Sequence, residues 1–167
     1  MLPLRVVQAD YADPVHGQAL LDVLDAYARD PAGGGQPLSE FARAHLLAEL
    51  AARPTAFSVL AFDGDLPVGL ANCIEGFSTF ACQPLVNVHD LAVVASHRGR
   101  GVGQALLAQV EQLARSKGAC KLTLEVLSGN RQALGLYERC GFAPYALDAA
   151  MGQAQFLQKW LKPNLAN

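Results

Sequence analysis

In the segment HRGRGVGQAL, residues 97–106, three glycines and two arginines stand directly before a long amphipathic run. The first turn of any helix leaves backbone N–H groups unpaired, and the macrodipole adds about half a positive charge there. Glycine removes the Cβ atoms that would hold an anion away from those donors. Arg98, Gly99, Arg100, Gly101, Val102, Gly103 and Gln104 therefore suit a dianion, most naturally a pyrophosphate. A P-loop would end in Gly-Lys-Ser/Thr, but Gln104 and Ala105 follow Gly103 here. A dinucleotide fingerprint would need Gly or Ala where Leu106 stands, after the first strand of a βαβ unit.

Two further sets of residues carry polar chemistry. Asn130 and Tyr137 are separated by about two helical turns, so both project from one face, roughly 10 Å apart along the axis. Asn130 also suits a helix N-cap, and Tyr137 a half-buried core position. In VNVHDLAVV, strand alternation places Asn87, His89 and Leu91 on one face and Asp90 on the other. His89 supplies an imidazole, whose ordinary pKa of about 6.5 suits a base, although a histidine bonded within a sheet would look the same. His16, His45 and His97 lack partners at ligand spacing, so no metal is expected. Cys73, Cys82, Cys120 and Cys140 form no C-x-x-C pair and read as reduced thiols, with Cys120 and Cys140 as small core residues.

Positioning these groups requires an α/β chain. LPLRVVQA reads as a first strand ending near Asp10, and Val15 to about Arg29 has the apolar spacing of a helix. DPAGGGQP breaks that helix and is a candidate lid or plain loop; Ser39-Glu40 then starts a helix to about Ala52. AFSVLAF and PVGLANCIEGF flank DGDL as a hairpin, LVNVHDLAVV is a strand, and Gly101 to Lys117 is a helix. CKLTLEV is a short strand, Asn130 to Cys140 a helix, and APYALD with AQFLQKWL a final hairpin. The expectation is a mixed sheet of about seven strands flanked by about four α-helices, in one domain over residues 1–167.

With 51% hydrophobic and 17% charged residues the chain reads as a soluble globular protein. A net charge of −2 gives no reason to expect nucleic acid or an anionic membrane as partner. The start MLPLRVVQAD lacks signal-peptide features and no apolar run reaches membrane-spanning length, so a cytoplasmic location is expected.

Arg98-x-x-Gly101-x-Gly103 resembles the (Q/R)-x-x-G-x-(G/A) motif of the GCN5-related N-acetyltransferase (GNAT) superfamily. The preceding HDLAVV and the downstream NRQALGLYERCGF are similar to that family's neighbouring segments, so the likeness covers about residues 86–145. It implies the GNAT fold, with parallel fourth and fifth strands splayed around acetyl-coenzyme A. The diphosphate would rest on Arg98 to Gln104, and the backbone of Leu91, Ala92 and Val93 would meet the pantetheine arm. By the same likeness Asn130 contacts the pantetheine region, and Tyr137 protonates the departing thiolate.

The implied activity is transfer of an acetyl group to a primary amine of a small molecule, peptide or protein, by direct attack. An alkylamine of pKa about 10.4 is neutral in about one molecule per thousand at pH 7, so a base is needed. His89 is the first choice, standing where polyamine-acetylating members carry glutamate; Asp90, Glu75 and Glu125 are weaker. The backbone N–H of Ala92 or Val93 would stabilise the oxyanion. Glu75, Phe77 and Phe80 are expected to line an acceptor pocket, and a homodimer fits folds of this kind. Arg131 and Arg139 read as solvated helix charges. Two rivals stand beside this reading: an acyl-coenzyme A sensor without turnover, and an enzyme using the turn for ATP or NAD.

Overall fold

A computed structural model describes residues 4–162 of the chain. The chain divides into two compact units, residues 1–124 and residues 125 onward. In the first unit the elements are β1 (Leu4–Gln8), α1 (Pro14–Arg29), α2 (Glu40–Ala51), β2 (Ala56–Asp63), β3 (Leu66–Ser78), β4 (Gln83–Val93), α3 (Val102–Ser116) and β5 (Leu122–Leu124). Single 3₁₀ turns lie at Pro31–Gly33 and Ala95–His97. The second unit holds α4 (Arg131–Arg139) and a 3₁₀ turn at Ala149–Met151.

The five strands form one sheet in the order β1-β2-β3-β4-β5. Neighbours are antiparallel except β4 and β5, which run parallel and are joined through α3. α1 begins at Asp13, whose side chain accepts the Val15 N–H, with Pro14 at the first helical position where no N–H is needed. Its apolar stripe of Ala19, Leu20, Val23 and Leu24 packs on Leu60, Phe62, Leu70 and Ala92 of one sheet face. Leu20, Leu60 and Leu70 are fully buried there, each worth about 1.5–3 kcal/mol. The opposite face receives α3. At Gly69 of β3 a Cβ would stand 2.8 Å from Val102 and 2.9 Å from Leu106, so the missing side chain lets α3 lie close to the sheet.

Five strands, not seven, are present among the described residues. The expected final hairpin does not form: residues 143–162 contain only the Ala149–Met151 turn. Asp148 accepts the Ala150 N–H, and Gly152 follows at φ +78°, so a turn forms between the two expected strands, but they do not pair. Tyr145, Leu147, Phe156, Leu157, Trp160 and Leu161 of that stretch are exposed, and two strands without a buried apolar face are marginal at best. Residues 2 and 3 of the expected first strand lie outside the described residues. Cys73 is buried, whereas Cys120 is exposed rather than in the core, because β5 begins only at Leu122.

Candidate active site

Of the four α-helices among the described residues, α1, α2 and α4 each start with a side-chain cap, from Asp13, Ser39 and Asn130. The N-terminus of α3 has none; its N-cap is Gly101, at φ +83°. The α3 N–H groups that precede its first internal bond, from Ala105 to Gly101, therefore have no side-chain acceptor at that cap. Gly99 lies at φ +73°, and a Cβ on Gly99 or Gly101 would meet nothing within 4 Å. Both glycines are thus required by backbone conformation, and both leave open space in front of the turn. That is the arrangement an anion needs.

The two arginines of the turn behave differently. The Arg98 guanidinium is engaged: Nη2 donates to Asp30 at 2.8 Å, and Nε donates to the Val93 carbonyl at 3.1 Å. Arg100 is exposed and has no ion-pair partner among the described residues. His97 is buried, bonded to Ser96 and within 3.3 Å of Asp63, so it anchors the start of the turn to the end of β2. The glycine-rich 30–37 segment, read as a lid or loop, is fastened through Asp30. One Asp30 oxygen accepts the Ala32 N–H and the other takes Arg98, which together hold its carboxyl below the usual range.

β4 is the second component, and its regularity breaks at the residue the sequence singled out. β3 and β4 pair as Asn72 with Asp90 and then Cys73 with Val88, so His89 is an extra residue, a bulge. This overturns the expected alternation: Asn87 pairs with Ile74 and Leu91 with Ala71, on opposite faces of the sheet. The bulge also switches which main-chain groups face the β5 side. Below it, the Val86 N–H bonds to Lys121; above it, the Val94 N–H bonds to Val68. By that parity the N–H and C=O of Leu91 and Val93 point to the β5 side, while those of Ala92 turn into the β3 ladder. The Ala92 side chain is buried against α1. The β4–β5 ladder ends at Val88 with Leu124, so His89 to Val93 continue with no paired strand on the β5 side among the described residues.

On the α1 side of the same strands lies a polar row of which sequence reasoning singled out only Asp90. Tyr11 Oη is 2.9 Å from Ser58 Oγ, which donates to Asn72 Oδ1 at 2.6 Å; Asn72 Nδ2 donates to Asp90 Oδ2 at 3.0 Å. Ser58, Asn72 and Asp90 are cross-strand partners on β2, β3 and β4. Burial, outweighing the Ser58 bond, pushes the Tyr11 phenol above its ordinary value. Burial and then the Asp90 and Asp30 carboxylates push Tyr27 up as well, which places Tyr27 in the field of both acids. Single polar residues inside the apolar stretches AFSVLAF and PVGLANCI were the available signal.

The other expected residues fall elsewhere. Glu75 pairs with Lys117 at 3.4 Å, on the sheet face opposite Asn72 and Asp90. Phe77 and Phe80 stand 58% and 103% exposed toward the tip of the β3–β4 hairpin. His89 is exposed. In the second unit Asn130 caps α4 by accepting the Ala133 N–H at 3.1 Å, and Tyr137 packs edge-on against Phe142.

The Acetyltransferase (GNAT) family model matches residues 17–142. Streptothricin acetyltransferase of Streptomyces lavendulae is 37% identical over 97 residues, 58% of this chain and 49% of that protein. Thialysine N-epsilon-acetyltransferase of Caenorhabditis elegans is 33% identical over 79 residues, 47% of this chain and 49% of its own. The matches to these curated relatives thus span about half of the relatives' length. Among solved structures, a probable acetyltransferase superposes with TM-score 0.77 at 22% identity, covering 95% of this chain and 99% of its own. An aminoglycoside acetyltransferase from an uncultured soil metagenomic sample gives TM-score 0.73 at 16% identity, with 95% of each chain covered. At those identities the likeness is one of fold.

Proposed function

Because the chain belongs to the GNAT family of acetyltransferases, we propose that it is an N-acetyltransferase moving an acetyl group from acetyl-coenzyme A to a primary amine. One observation carries the reading: α3 alone among the α-helices of the described residues lacks a side-chain cap, and its entry turn is built on two left-handed glycines facing open space. Those features fit a diphosphate, which would take hydrogen bonds from main-chain N–H groups within 99–104 and charge from Arg100. The outward groups of Leu91 and Val93 would hold the amide-bearing arm, strand-fashion, along the edge that β5 leaves uncovered. When bound, acetyl-coenzyme A supplies a thioester open to direct attack by an amine.

The remaining roles belong to the chain's own side chains. The Val93 N–H, which faces the β5 side, would polarise the acyl oxygen, leaving the arm to the Leu91 groups and the Val93 carbonyl. Asp90 receives the acceptor as an ammonium ion, and the exposed His89 at the bulge carries the released proton to solvent. By the family likeness, Tyr137 would give its hydroxyl proton to the departing sulfur and regain one from solvent. Arg98, committed to Asp30 and Val93, shapes the turn instead of gripping phosphate. Relatives named for streptothricin and thialysine support a small cationic amine as acceptor. A panel of amines with acetyl-coenzyme A, read by release of thiol, tests the reading. Amine-dependent thiol release supports it; cofactor binding without release from any amine would favour a sensor of acyl-coenzyme A.

A further inference from the structure

The polar row across β2, β3 and β4 stands out chemically. Its neighbours on the same face, Leu60, Leu70 and Ala92, form a continuous apolar layer under α1. Ser58 is fully buried and Asn72 is 5% exposed, so each carries a desolvation cost that a valine or leucine would not. The hydrogen bonds run one way. An ionised carboxylate only accepts, so Asn72 turns its amide N–H to Asp90 and leaves Oδ1 to accept. Ser58 spends its single proton on that Oδ1, and Tyr11 is left as the donor to Ser58. Every donor points toward Asp90, and aligned dipoles of this kind reinforce one another. The row ends at the last paired position before the bulge, so its terminus is where β4 changes parity. Only Oδ2 of Asp90 has a hydrogen-bond partner among the described residues.

We propose that Tyr11, Ser58 and Asn72 are positioning residues that hold Asp90 by one oxygen and present the other to the acceptor ammonium. This rests on the role given to Asp90 above. A carboxylate on a strand would otherwise turn about its Cβ–Cγ bond, and an amine held at a variable angle reaches the acyl carbon less often. The three residues touch neither reactant; their effect passes through Asp90.

The test compares Ser58→Ala and Ser58→Thr with the wild-type chain in steady-state kinetics on an accepted amine, alongside thermal melting. Ser58→Ala leaves the buried Asn72 Oδ1 without its donor. It is expected to lower kcat/KM for the amine by about tenfold while KM for acetyl-coenzyme A stays unchanged. Ser58→Thr keeps a hydroxyl and should recover most of the loss, which a merely structural role would not produce. Tyr11→Phe, trimming only the terminal hydroxyl of a half-buried side chain, should give a smaller loss of the same kind. If Ser58→Ala and Tyr11→Phe both keep wild-type kcat/KM, or if both kinetic constants fall in step with the melting point, the inference is overturned. Wild-type protein that releases no thiol with any amine overturns the proposed function, and the inference falls with it.

Discussion

Gly101 and Gly118 allow backbone strain to be separated from ligand contact. Both are left-handed, at φ +83° and +74°, and a Cβ at either would meet nothing within 4 Å. Gly101 caps the start of α3 and Gly118 lies two residues past its end. An alanine in this conformation costs about 1–2 kcal/mol. Each variant should therefore melt a few degrees lower, at about 2–4 °C per kcal/mol for a chain of this size. The two substitutions should match in stability and differ in binding. Gly101→Ala sets a methyl group in front of the N–H groups that would take the diphosphate, and should weaken acetyl-coenzyme A by at least about tenfold, or 1.4 kcal/mol. Gly118→Ala should bind as the wild type does. Urea denaturation gives the stability arm and calorimetric titration with acetyl-coenzyme A the binding arm. If both variants bind like the wild type, the turn does not grip the diphosphate and the reasoning from it is wrong.

Other expectations follow from single contacts. Tyr137→Phe should lower kcat at least tenfold, about 1.4 kcal/mol in the barrier, with cofactor affinity unchanged; equal turnover would assign the proton to water. Burial pushes the Cys73 thiol up to about 12, so it should resist iodoacetamide at pH 8 while the exposed Cys82 and Cys120 are alkylated, as mass spectrometry would show. Asp25 accepts from Arg29 and from the Leu38 N–H and pairs with Arg43, which ties α1 to the start of α2. The Arg29 bond leads in holding its carboxyl below the ordinary value. The stability it contributes is therefore present above the unfolded carboxylate pKa, about 3.9, and lost as pH falls through the depressed folded value. Asp25→Asn should lower the melting point at pH 7 and narrow its gap to wild type at pH 3. A constant gap would mean that the charge is not what stabilises.

What could be read from the sequence was what short stretches encode by themselves. The glycine turn was visible because Gly99, Gly101 and Gly103 and the following helix lie within one contiguous segment. The Asn130 cap and the break after Arg29 were visible for the same reason. The bulge was not, because alternation within LVNVHDLAVV is regular; the extra residue exists only relative to β3, where Asn72 and Cys73 face Asp90 and Val88. The polar row was hidden more deeply, since Tyr11, Ser58, Asn72 and Asp90 come from four separate segments and meet only once the sheet is assembled. Glu75 shows the converse: the sequence sets this acid beside aromatic residues, and only the assembled fold brings Lys117, at the end of α3, to its charge. The last hairpin failed because alternating apolar residues make stable strands only where one face is buried, and here they stay exposed.

The most direct measurement is a crystal structure of the protein grown with coenzyme A. The account predicts the diphosphate within hydrogen-bond distance of the N–H groups of residues 99–104, and the pantetheine arm bonded to the main chain of Leu91 and Val93. A diphosphate seated elsewhere, with that turn and strand edge making no contact to it, would contradict the account.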